Sequence, residues 1–256
     1  MKLLINKIFN NKIIKNIRNF IGFKPVHMSI DHIYNASSVS DAFCWRTDNN
    51  YTTTFKFSDL MRLFYDIDNS HAEIIFFDKN YNLIKKINYK NLDISNELNI
   101  SKSFLNNIED YGTFYIFHKS NKKVKEKFII ANRCYIGFSY KNNLRSFVHG
   151  NTLASYQTIY ADDIKNDIVK TTYLFEQNYR VQNYFVDMTK TELFFANPTN
   201  KKIKFSVNDT KYTLNVGCSI IINLNSLKTV NIISNCSFLR PIIFNYRNEF
   251  IDVYHG

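Results

Sequence analysis

The chain has 256 residues, 45% hydrophobic and 16% aromatic against 21% charged, with six Gly and three Pro. It is long enough for two domains and too hydrophobic to stay disordered, and so little Gly and Pro excludes collagen-like and linker-dominated architectures. Thirty-three Lys and Arg against 22 Asp and Glu leave a formal charge of +11, which favours anionic partners such as a membrane surface, a glycan or RNA.

At the N-terminus Lys2, Lys7, Lys12, Lys15, Arg18 and Lys24 all precede the first acid, Asp31. Ile5, Phe9, Ile13, Ile17 and Phe20 recur at three- and four-residue steps, which predicts a short basic amphipathic helix over residues 1–26, stopped near Gly22 and Pro25. Lys7, Lys12, Lys15 and Arg18 are candidates to hold an anionic surface while Ile and Phe enter the acyl boundary. Docking onto the chain's own body and a transit role compete with that reading, so the expected location is cytoplasmic or peripheral to a membrane, with organellar import open. No window approaches 18 uninterrupted apolar residues, so no spanning helix is expected.

After residue 27 the period shortens to two. Strands are predicted at 52–57, 73–77, 113–118, 128–131 and 135–140, then at 173–175, 184–188, 192–196, 203–207, 212–216, 219–224, 229–233 and 242–246. Short helices are predicted at 58–65, capped by Ser58, at 101–108 and at 162–169. Strands this short and regular imply an all-β, mainly antiparallel fold, read as two tandem β-sandwich units of jelly-roll or immunoglobulin-like type. Glu73-Ile-Ile-Phe-Phe is echoed by Glu192-Leu-Phe-Phe, and Ile129-Ile-Ala-Asn with Phe138-Ser-Tyr by Ile232-Ile-Ser-Asn with Phe244-Asn-Tyr. The order is preserved, which suggests a duplication with units at 28–145 and 146–256.

No phosphate-binding glycine loop, nucleophile elbow, zinc-protease or kinase signature is present. Asp78-Lys-Asn80-Tyr-Asn82 opens like a calcium loop but has Leu83 where Gly is needed and Tyr89 where Glu should close the cage, so it reads as a hairpin turn. Asp66, Asp68 and His71, with Glu73 following, are the densest set of metal-type ligands, yet incomplete, and neither metal nor cofactor is expected. Cys44, Cys134, Cys218 and Cys236 are widely spaced and read as free thiols, a Cys218 to Cys236 bridge remaining conceivable.

His149 and His255 each precede a Gly at a strand end, and a pairing of both with Asp252 would make an acid–base site. Trp45 and Arg46 in one apolar run and Arg240 in another are candidate ligand contacts, since a guanidinium among apolar neighbours pairs with a carboxylate, stacks on a ring or clamps a ligand. Lys122, Lys123 and Lys125 lie in a basic run, 119–127, placed to cooperate with the N-terminal helix on phosphate. The expected function is a non-catalytic binding or interaction protein attached to an anionic surface, within a membrane-associated glycan-synthesis complex or a ribonucleoprotein. The alternatives are a carbohydrate-active enzyme with a His/Asp site between the β units and a structural subunit of a large assembly.

Overall fold

The computed structural model describes residues 36–120, 129–150, 153–169, 171, 176–182, 188–224, 229–236 and 239–256, and residues 11, 13, 14, 16 and 17 near the N-terminus. The predicted helix over 1–26 lies outside the described residues but for those five positions. So do Lys122, Lys123, Lys125, the strand predicted at 173–175 and nearly all of that at 184–188.

The chain is mostly antiparallel β. Its strands begin with β1 (Ser37–Asp41), β2 (Phe43–Arg46), β3 (Tyr51–Phe57), β4 (Ser70–Asp78), β5 (Leu83–Tyr89), β6 (Asn96–Ile100), β7 (Tyr111–Ser120), β8 (Ile129–Asn132) and β9 (Tyr135–Tyr140). They continue with β10 (Ser146–His149), β11 (Leu153–Thr158), β12 (Gln177–Gln182), β13 (Lys190–Ala196), β14 (Ile203–Val207), β15 (Thr210–Leu214), β16 (Ser219–Leu224), β17 (Thr229–Ser234), β18 (Ile242–Arg247) and β19 (Phe250–His255). The orders in the five sheets are β11-β1-β8, β2-β7-β4-β5, β10-β9-β3-β6, β16-β13-β18-β19 and β12-β17-β14-β15. Among these strand pairs only β1 with β8 runs parallel.

Two-residue alternation assigns each strand's side chains to opposite faces. On β4 and β7, Ile74, Phe76, Phe114 and Ile116 enter one cluster while Ile75, Phe77, Tyr115 and Phe117 enter another, so the sheet is covered on both sides and its strands read as unbroken apolar runs. The largest cluster gathers Phe43, Phe55, Phe76, Phe114 and Phe138 with Phe194, Ile242, Phe244 and Tyr246, so three sheets and both halves of the chain share it. On β13, Leu193 and Phe195 turn instead into a second cluster with Phe205, Val230 and Ile232, drawn only from the later half.

β1 carries little apolar signal, yet it is buried. Ser38 and Ser40 accept hydrogen bonds through Oγ from the backbone N–H of His118 (2.8 Å) and Ile116 (3.0 Å), doing for β7 what a neighbouring carbonyl would do. β10 and β11 follow residue 145 but pair with β9 and β1. The echoed segments fall on β4 and β13, β8 and β17, and β9 and β18; β13 and β18 are hydrogen-bonded neighbours, whereas β4 and β9 lie in different sheets.

The helix predicted at 58–65 forms as α1 (Leu60–Tyr65), but Asp59 caps it in place of Ser58, its carboxylate accepting the Arg62 N–H at 3.1 Å. Residues 101–108 form successive turns and no helix, because Asn106 and Asn107 take φ of 57° and 62°, left-handed backbone that ends any right-handed run. Residues 162–169 form no helix, and Lys165 is bridged to Tyr156 and Val169 to Thr199. Between β4 and β5, Asp78 Oδ1 accepts from the N–H of Asn80 and Asn82 at 2.9 and 2.8 Å, the self-bonded turn expected there.

Candidate functional site

Trp45 and Arg46, read from the sequence as candidate ligand contacts, are 0% and 1% exposed and bonded within the chain. The indole donates to Phe77 O at 2.8 Å. The Arg46 guanidinium holds Asp48 by Nε (3.0 Å) and a terminal nitrogen (2.7 Å) and Glu192 by the other (2.5 Å), while its carbon lies 4.0 Å from the centre of the Tyr51 ring. Tyr246 donates to the same Glu192 oxygen (2.6 Å), and Lys190 closes the other (2.5 Å). Burial alone would push the Glu192 carboxyl up, but Arg46, Lys190 and Tyr246 hold it below its ordinary value. The result is a buried ionic tie between β2 and β13.

His149 and His255 do meet. His149 Nδ1 lies 3.0 Å from His255 Nε2 and 2.8 Å from Gly150 O, a geometry met when Nδ1 carries the proton and both neighbours accept it. Asp252 is not with them, since alternation turns it to the opposite face of β19 from His255, where it is exposed. The carboxylate in this region is Asp41, which the sequence reading missed. It is fully buried against Gly150, where a Cβ would fall 2.1 Å from Oδ2, and neither of its oxygens has a hydrogen-bond partner among the described residues. Arg133 Nε is 3.6 Å away, and half-buried Arg240 acts on both Asp41 and His255. Burial pushes the Asp41 carboxyl up to about 7 against the pull of Arg133 and Arg240. Burial, with Arg240 and His149 adding, pulls His255 down to about 3, so the imidazole is neutral.

A cleft of about 430 Å³ lies over one face of the β2-β7-β4-β5 sheet. Register makes it: His71 on β4 stands opposite Lys119 on β7, and Glu73 stands opposite Asn88 on β5, with Lys86 two residues along. The turn after β11 brings Tyr160 and Asp162 over this face. Glu73, 3% exposed, accepts from Lys86 Nζ at 2.6 Å and from Gln157 Nε2 at 3.3 Å. Lys119, 5% exposed, donates from Nζ to Ala161 O and to Asp162 Oδ1 (3.2 Å). Asp162 is itself 75% exposed and lies 3.8 Å from Lys86 as well, so two ammonium groups converge on one carboxylate at the mouth. Lys119, by its hydrogen bond and charge, and Lys86 hold the Asp162 carboxyl below its ordinary value. Burial, then Lys119, lowers His71 below its ordinary value.

Asp66 and Asp68 are exposed beyond α1, and among the described residues no three His, Cys, Asp or Glu side chains converge to hold a metal. All four cysteines are free thiols. No helix among the described residues is long and apolar enough to cross a membrane. No family model matches this chain, and neither does any curated protein.

Proposed function

We propose that the chain is a non-catalytic binding protein whose cleft holds an anionic group of an acidic glycan on Lys86 and Lys119. One observation carries this reading: a lysine buried to 5% exposure directs its ammonium, with a second lysine beside it, onto a carboxylate borne by an exposed turn. A buried ammonium costs free energy unless it is paired, and Asp162 fills the position a ligand carboxylate would take. Glu73 and Gln157 orient Lys86 from beneath, and Asn88 adds a donor and an acceptor for neighbouring hydroxyls. The basic segment with Lys7, Lys12, Lys15 and Arg18 brings this body to an anionic surface. The body is two fused sandwich units, a reading supported by the second cluster's being drawn from the later half alone.

Titration calorimetry with oligogalacturonate, with inorganic phosphate as competitor, tests the cleft. Lys119→Met is expected to weaken binding at least tenfold, the loss of about one charge-assisted hydrogen bond, and Asp162→Asn to strengthen it about threefold by removing the internal competitor. Equal affinity in wild type and both variants would sink the reading. A second reading, a carbohydrate-active enzyme, is favoured only by the hydrogen-bonded His149 and His255, and it requires glycan hydrolysis that His149→Ala abolishes.

A further inference from the structure

The geometry points to a second binding site, for an uncharged saccharide, in a basin formed where three turns meet at one end of the β10-β9-β3-β6 sheet. The basin has a volume of about 550 Å³ and is lined by Asn50, Asn107 and Asn142 with Thr52, Lys102 and Glu109. It lies within the range of pockets that take small ligands.

Each of the three asparagines sits in a different turn, after β2, after β6 and after β9, with φ of 63°, 62° and 59°. That left-handed backbone suits Asn among non-glycine residues, so the turns are set by the residues that line the basin. Backbone bonds fix the turns: Lys141 N–H to Asn50 O at 3.1 Å ties the first to the third, and Asn107 N–H to Lys102 O at 2.8 Å closes the second. The neighbouring carboxamides are used internally, Asn49 on Asp48 (2.9 Å) and Asn143 on Glu249 O (3.0 Å). Those of Asn50, Asn107 and Asn142, and the Thr52 hydroxyl, have no hydrogen-bond partner among the described residues.

The chemistry selects the ligand. A carboxamide presents a donor and an acceptor side by side, which matches two adjacent hydroxyls of a sugar ring. Lys102 and Glu109 neutralise one another, so the basin offers no net charge for a phosphate. A nucleobase would need a ring to stack on, and the one aromatic lining residue, Tyr51, is buried with its hydroxyl on Tyr246 at 2.6 Å. Three carboxamides carried on turns that backbone bonds fix, around a neutral hollow, leave a hydroxyl-rich, uncharged molecule.

NMR titration of the ¹⁵N-labelled chain with maltotriose, cellotriose, N-acetylchitotriose and mannotriose tests this, with sorbitol as the open-chain polyol. At least one saccharide is expected to shift the side-chain amide signals of Asn50, Asn107 and Asn142 at millimolar concentration, with sorbitol giving no shift. Asn107→Gly and Asn142→Gly accommodate the left-handed backbone and remove the side chain with its carboxamide. Together they are expected to weaken that saccharide about tenfold or more, as loss of two uncharged hydrogen-bonding groups requires, at an unchanged unfolding midpoint. No shift from any saccharide, a shift from sorbitol alone, or full affinity in the folded double variant would each overturn the site.

Discussion

Arg46→Met is expected to destabilise the chain by about 3 to 5 kcal/mol, because removing one partner of a buried pair strands the other in a low dielectric. Glu192 has 4% side-chain exposure and would keep only Lys190 and Tyr246. Asp48, at 17%, can turn to water, so most of the loss falls on Glu192. The double variant Arg46→Met with Glu192→Leu should recover most of it, since two apolar side chains of similar volume leave no buried charge. Urea unfolding of the four members of this cycle reads the coupling. A loss under about 1 kcal/mol in the single variant would show that the tie does not hold β2 against β13.

Asp41→Asn should remove a pH-dependent loss of stability. A carboxyl that titrates at about 7 when folded, against 3.8 when unfolded, binds its proton more tightly in the folded chain. Folding stability due to Asp41 is therefore full below the lower value, falls as pH rises through the interval, and is lost above about 7, a change on the order of 4 kcal/mol. The facing groups are Arg133 and Arg240, which oppose the shift, and Cys134, whose thiol burial keeps protonated. His255 contributes the opposite slope, because its lowered value makes stability rise with pH from about 3 up to its ordinary range. The free-energy difference between Asp41→Asn and wild type should thus grow in the variant's favour from pH 4.5 to pH 8. A difference independent of pH would mean that Asp41 ionises freely in the fold.

The strands that sequence revealed are those whose alternation faces a core. β9, β14 and β16 occupy the predicted residues 135–140, 203–207 and 219–224. β1 was hidden because its inward Ser38 and Ser40 are polar, their burial made tolerable by β7 amides that no local pattern announces. β5 and β6 are edge strands rich in Lys, Asn and Glu, which mask the period-two signal. Arg46 takes two of the roles open to a guanidinium among apolar neighbours at once, ion pair and ring contact, and both its carboxylates come from the chain itself. His149 and His255 share a His-Gly dipeptide that singled each of them out, but their contact and the acid that lies nearby depend on strand facing and on the crossing of β1, and so Asp41 went unseen. In the cleft, His71 and Glu73 had been grouped as metal-type ligands and Lys119 as part of a basic run. Only the β4–β7 register sets His71 opposite Lys119.

The shared aromatic cluster also sets a timetable for synthesis. Tyr51 reaches its hydroxyl partner Tyr246 across a separation of 195 residues, and Phe138 contacts Phe244 edge to face. At about 5 to 20 residues per second, a ribosome needs on the order of 10 to 40 s to pass from Tyr51 to Tyr246. Throughout that interval the nascent chain carries uncovered phenyl surface, so its early strands wait for the last ones, and holding chaperones have a long window in which to engage it.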